Sequence, residues 1–86
     1  MTFDKRYVRA IVSKYEIVCS KKNVREVYFC SVNDLINSVY YIIGVSELGN
    51  QYKLTKYAAY NYTQQRYFDS LHDLKAFIDK GLHLML

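Results

Sequence analysis

Tyr67-Phe68-Asp69-Ser70-Leu71-His72-Asp73-Leu74-Lys75-Ala76-Phe77-Ile78-Asp79-Lys80-Gly81 is the stretch on which the fold turns. The Ser70 hydroxyl is placed to accept from an amide that a helix start leaves unpaired, and Asp73, three residues on, can reach back as in a capping box. Leu71, Leu74, Phe77 and Ile78 then fall on one face at helical spacing. Lys80 suits the negative end of the helix dipole, and Gly81 supplies a left-handed cap. These features predict a helix over about 70–80 with one apolar face to bury.

Working outward, the start of this stretch recurs upstream. Tyr28-Phe29-Cys30-Ser31-Val32-Asn33-Asp34-Leu35 matches Tyr67 to Leu74 at five of eight positions, offset by 39 residues. Lys14-Tyr15-Glu16-Ile17 parallels Gln51-Tyr52-Lys53-Leu54, and Tyr7 to Ser13 parallels Tyr41 to Ser46 with one gap. Three matches in the same order predict two tandem strand–strand–strand–helix units, about 6–39 and 40–81, followed by an apolar tail, 82–86. Tyr15, Ile17 and Cys19 alternate with Glu16, Val18 and Ser20, as a half-buried strand does. Val27 to Cys30 and Tyr40 to Val45 carry the β-branched and aromatic side chains that suit a pleated sheet, and Tyr52 to Tyr57 alternates weakly. Glu47-Leu48-Gly49-Asn50 reads as the turn between the last two. A shorter helix is expected from Ser31 through Leu35 and Ile36. Residues 3–13 carry two signals. Phe3, Tyr7, Ala10, Ile11 and Tyr15 have helical spacing, whereas the repeat requires a strand, and the strand is the expectation adopted. The fold class expected is α+β, a small antiparallel sheet with helices on one face, in a single domain.

With 86 residues, the chain supports one modest core, burying roughly 60–65% of what it exposes unfolded. Its hydrophobic content of 51% argues against disorder. Ten residues are Tyr, with no Trp and no Pro, so most of the aromatic surface in this protein ends in a hydroxyl. The net charge of +4 permits attraction to nucleic acid or to an acidic protein surface, but falls short of a dense basic stripe. No apolar run approaches a membrane span, and Met1 to Arg6 opens no signal peptide. Cys19 and Cys30 make no disulfide framework, so the expected compartment is the cytoplasm. Asn61-Tyr62-Thr63 matches a glycosylation sequon that such a compartment would leave unused. Abundant Lys, Asn, Ile, Tyr and Phe point to a low-GC genome.

No catalytic constellation stands out. His72 and His83 have no Cys or carboxylate at metal-ligand spacing, and the three glycines form no phosphate loop, so neither enzyme nor cofactor is expected. Binding signals are stronger. Lys21-Lys22-Asn23-Val24-Arg25 sets three cations in a turn between strands. Tyr57-Ala58-Ala59-Tyr60-Asn61-Tyr62-Thr63-Gln64-Gln65 combines rigid aromatic area with adaptable amides, the chemistry of a recognition loop. Tyr57, Tyr60, Asn61, Tyr62 and Gln64 are therefore the candidate protein-partner residues; the competing possibility for this segment is a longer strand with its rings packed inward. Lys21, Lys22, Arg25, Lys53, Lys56 and Arg66 are the candidate nucleic-acid residues, with bases stacked on the tyrosines. The apolar tail is expected to dock on the domain itself; otherwise Leu82, Leu84, Met85 and Leu86 would form a homodimer interface.

Tyr67-Phe68-Asp69-Ser70 leading into a helix, with Gly49 in the preceding turn, resembles at fold level the sheet-reading DNA-binding modules of some phage integrases and plant transcription factors. The resemblance spans roughly half the chain and implies contact with nucleic acid through the sheet. Size, the absence of catalytic residues and the tyrosine-rich segment lead instead to a non-enzymatic binding protein. Such a protein would be an accessory factor of a phage or other mobile element, occupying a site on a larger host protein as anti-defence inhibitors do. The alternative is a small basic DNA- or RNA-binding domain.

Overall fold

The structure, a computed structural model, describes residues 2–19, 25–31, 36–58 and 62–85. It is α+β, as the sequence predicts. Helix α1 (Lys5–Ile11) precedes strands β1 (Glu16–Cys19), β2 (Val27–Cys30), β3 (Tyr40–Val45), β4 (Tyr52–Ala58) and β5 (Tyr62–Phe68). Helix α2 (Leu71–Lys80) and a 3-10 turn (Leu82–Leu84) follow. The strands form one antiparallel meander in chain order, β1-β2-β3-β4-β5.

The second half has the element order expected of it, β3, β4 and β5 followed by α2, but β5 begins at Tyr62, inside the segment expected to be a connection. Ser70 Oγ accepts from the Asp73 amide at 3.1 Å and opens the helix. Leu74 and Ile78, four apart, are its buried residues. Gly81 ends it at φ 129°, ψ 135°, a region open to glycine but distinct from the left-handed helical one expected. A Cβ at Gly81 would stand 2.5 Å from the ring of the exposed His83, which can swing aside, so it is the positive φ that disfavours a side chain.

The first unit departs from its prediction. Residues read as a strand form α1, and the period of the core residues explains why. Val8 and Val12, four apart, are both fully buried while Ala10 between them is exposed, a pattern that fits a helical turn and not the two-residue alternation of a strand. Asp4 caps the start, its Oδ1 accepting from the Arg6 amide at 2.9 Å. Of the residues with helical spacing, Ile11, Phe3 and Tyr15 pack against the core, while Tyr7 is 64% exposed. The expected helix from Ser31 has its central residues, 32–35, outside the described ones.

Strand register sorts the sheet into two faces. Val27, Phe29, Tyr41, Ile43, Tyr52 and Leu54 share one face by pairing, and all are at most 6% exposed. Val8 and Val12 of α1, Leu74 and Ile78 of α2, and Leu82 and Met85 complete this core. Each such side chain contributes on the order of 1.5–3 kcal/mol through burial. Leu82 and Met85 are 6% and 1% exposed, so the tail docks on its own domain, and these two side chains have no surface left for a dimer. Leu84 is partly exposed, and Leu86 lies outside the described residues.

Candidate sheet-face interface

Both helices pack on the Phe29–Leu54 face, and among the described residues no helix covers the other. That face carries the side chains of opposite parity: Tyr28 and the fully buried Cys30 from β2; Tyr40, Ile42 and Gly44 from β3; Lys53, Thr55 and Tyr57 from β4; Thr63, Gln65 and Tyr67 from β5. Ile42 and Thr55, a directly opposed pair, form a close-packed floor at 8% and 3% exposure.

Three tyrosines stand in a row across β2, β3 and β4. The Tyr28 and Tyr40 rings stack with centroids 6.2 Å apart and planes 15° apart, and Tyr40 and Tyr57 at 5.0 Å and 12°. Tyr40 and Tyr57 are direct cross-strand partners, and Tyr28 reaches Tyr40 on the diagonal, which is why three rings from three strands align. The row is half-buried, its rings shielding one another. Burial raises the Tyr28 pKa above its ordinary value, and the neighbouring Glu26 carboxylate adds to the rise. The Tyr28 hydroxyl is 3.5 Å from Glu26 Oε1. A Cβ at Gly44 would touch Glu26, at 3.4 Å from Cγ and 3.8 Å from Oε2, in ordinary van der Waals contact.

The opposite end of the face is polar. Lys53 Nζ donates to Glu47 Oε1 at 2.9 Å, a bond that raises the Lys53 pKa and lowers that of Glu47. The Tyr67 hydroxyl lies 3.3 Å from both Glu47 Oε2 and Gln65 Oε1, with one proton to give to either. Glu47 is held by a turn in which Gly49 takes φ 75° and its amide donates to the Ser46 carbonyl at 2.9 Å. Ser46 Oγ also accepts from the Gln51 amide at 3.1 Å, locking the loop onto β4.

The predicted binding residues are redistributed by this geometry. Tyr57 to Gln65 is a β4–β5 hairpin, so the recognition-loop expectation gives way to strand at both ends. Its rings are not packed inward at Tyr57, which joins the open-face row. Tyr60 and Asn61 lie outside the described residues, and Tyr62 enters β5 through its backbone. Gln64, paired with Lys56, belongs to the helix side. The predicted basic set is split. Lys53 is on the open face, bound to Glu47. Lys56 is on the helix side, donating to the Met85 carbonyl at 3.1 Å. Arg66 is also on the helix side, with its guanidinium 4.9 Å from the Phe77 ring centroid. Arg25 is exposed just before β2, and Lys21 and Lys22 lie outside the described residues.

Tyr28 and Tyr40 were not among the predicted site residues. Each sits inside an apolar run, Tyr28-Phe29 and Tyr40-Tyr41-Ile42-Ile43, where sequence alone does not reveal which residue of a pair faces out. Strand β4 held the clue. Lys53 and Thr55 alternate with Tyr52 and Leu54, which fixes the outward parity and, through register, extends it to β3. Among the described residues, no group of three His, Cys, Asp or Glu side chains is placed to hold a metal ion, and Cys30 is a buried thiol. No helix of the described residues is long and apolar enough to cross a membrane.

Fold and site together define a small α+β meander with one helix-covered face and one tyrosine-lined open face. No protein-family model matches the chain, and neither a curated protein nor a solved structure is significantly similar to it.

Proposed function

We propose that this protein is a non-catalytic binding module that docks a protein partner on its open sheet face, in the manner of an inhibitor or accessory factor. The observation that carries this reading is the stacked row Tyr28–Tyr40–Tyr57 on a face where Lys53, the one lysine among its described residues, is neutralised by Glu47. Tyrosines presented from strands lose little entropy on binding, and clustered aromatics are typical anchors of protein interfaces. A surface for phosphates would need unpaired cations beside the rings. Here Lys56 and Arg66 project to the other side of the sheet, and Glu26 adds negative charge to the open one.

The test is affinity capture from cell lysate with and without nuclease, repeated with the variants Tyr40→Ala and Tyr57→Ala. The expected result is a stoichiometric protein that survives nuclease and whose affinity falls by about 2 kcal/mol or more with either variant. Recovery of nucleic acid alone, lost at moderate salt and indifferent to both tyrosines, would sink the proposal in favour of a nucleic-acid function.

A further inference from the structure

The sheet ends in two unlike edges. Strand β1 is four residues long, and its register with β2 shifts between Ile17 and Cys19, so it offers an incoming strand little regular backbone. Strand β5 is seven residues long and pairs with β4 without interruption from Tyr62 to Phe68. Among the described residues nothing pairs with its other side. It carries no proline, lysine or carboxylate, the usual means of blunting such an edge. Its one charge, Arg66, is drawn over Phe77 on the helix side.

The hairpin hydrogen bonds identify which β5 groups face outward. The Ser46 amide donates to the Gln51 carbonyl at 2.9 Å, so bonded pairs recur at every second residue, ending with Tyr40 and Tyr57. Strand β4 therefore turns Tyr52, Leu54, Lys56 and Ala58 towards β5, and these bond Phe68, Arg66, Gln64 and Tyr62. The N–H and C=O groups of Thr63, Gln65 and Tyr67 are left pointing away from the sheet.

We propose that β5 pairs antiparallel with β5 of a second copy about a two-fold axis at Gln65, forming a closed homodimer with one continuous sheet. This register is self-complementary. The three outward-facing residues pair with one another, Gln65 with Gln65 of the second copy and Thr63 with Tyr67, an opposed β-branched and aromatic pair. Arg66 falls opposite Gln64, and no like charges meet. Centring on Arg66 instead would oppose two guanidinium groups. A depression of about 370 Å³ lined by Gln64, Gln65, Arg66 and Met85 borders the edge and leaves space for the neighbour's side chains. Association stops at two because the edges then remaining are both β1. Opposed residues of an antiparallel pair share a face, so the two tyrosine rows lie on the same side, presenting the open face twice. The inference does not depend on what that face binds.

Light scattering on the eluting full-length protein, over a dilution series, tests it. The wild-type chain is expected at twice 10.2 kDa. Gln65→Pro removes an outward N–H without breaking a bond to β4, and should weaken the dimer more than about tenfold. Gln65→Lys and Gln65→Glu each oppose like charges at the axis and should weaken it about fivefold, while an equimolar mixture of the two restores it. These two side chains stand on the open face and leave β4–β5 pairing intact, so they carry the test even if the proline variant fails to fold. A wild-type chain that stays at 10.2 kDa throughout would overturn the proposal. So would a dimer indifferent to both charged variants, a mixture no tighter than its components, or a β5 edge filled only by a foreign strand.

Discussion

Tyr40 and Tyr41 are neighbours in the chain and opposites in environment. Tyr41 is 3% exposed, stacked on Phe29 at 5.5 Å beneath the helix layer. Tyr40 stands on the other side of the same strand, stacked between Tyr28 and Tyr57, with no helix above it among the described residues. The two faces use the same residue type for different ends. On the covered face a tyrosine is core volume, and on the open face it is contact area with a hydroxyl at its rim. What separates the two roles is the pleat, which sends successive side chains to opposite sides, and the packing of both helices on one side. Composition alone, ten tyrosines, carries no such division.

The comparison is broken most directly by truncation on each face. Leu54→Ala, in the centre of the covered face and fully buried, should cost about 2–5 kcal/mol of unfolding free energy in a denaturant titration. Tyr40→Ala, on the open face, removes two ring contacts of about 0.5–1.5 kcal/mol each and should cost less than Leu54→Ala, about 1–3 kcal/mol. If Tyr40→Ala destabilises as much as Leu54→Ala, the row belongs to the core and the open face is not a docking surface.

These differences also mark what could be read in advance. Helix α2 was legible because its signals agree: Ser70 caps, Leu74 and Ile78 repeat at four, and Gly81 sits at a positive φ. Strand β3 was legible from its β-branched and aromatic residues, β4 from a weak alternation, and their turn from Gly49 and Asn50. Helix α1 was set aside because a gapped match to Tyr41–Ser46 was weighed above the helical spacing of Phe3, Tyr7, Ala10, Ile11 and Tyr15. The tyrosine row was only partly legible. Tyr57 was picked out for its neighbours in sequence, whereas Tyr28 and Tyr40 join it through register, a property of strand pairing that no single segment contains. The split of Lys53 from Lys56 and Arg66 was legible in principle from their parity along β4 and from β4–β5 pairing.

The helix layer can be loosened without touching either sheet face. Ser70→Ala removes the acceptor for the Asp73 amide and should cost about 1 kcal/mol of stability. Thermal melts would record the loss, while affinity for a partner of the folded protein should stay unchanged. A parallel loss of affinity, measured where the variant remains folded, would mean that α2 reaches the interface itself.

The smallest effect sharpens the open face from its polar end. Hydrogen bonding to Lys53 lowers the Glu47 pKa, so folding is favoured above the unfolded glutamate value of about 4.3 and that gain is lost as pH falls through the lowered folded value. The same bond raises the Lys53 pKa, and its contribution is present below the ordinary lysine value of about 10.4 and lost as pH rises through the raised one. One pair should thus be visible on both limbs of a plot of stability against pH. Glu47→Gln should flatten the two limbs together, most clearly at low ionic strength, because an exposed pair is readily screened. Flattening of the acid limb alone would mean that Tyr67, which also reaches Glu47, rather than Lys53, holds that carboxylate in its low-pKa state. Lys53 would then be an uncompensated cation among tyrosines, the arrangement that favours phosphate over a protein surface.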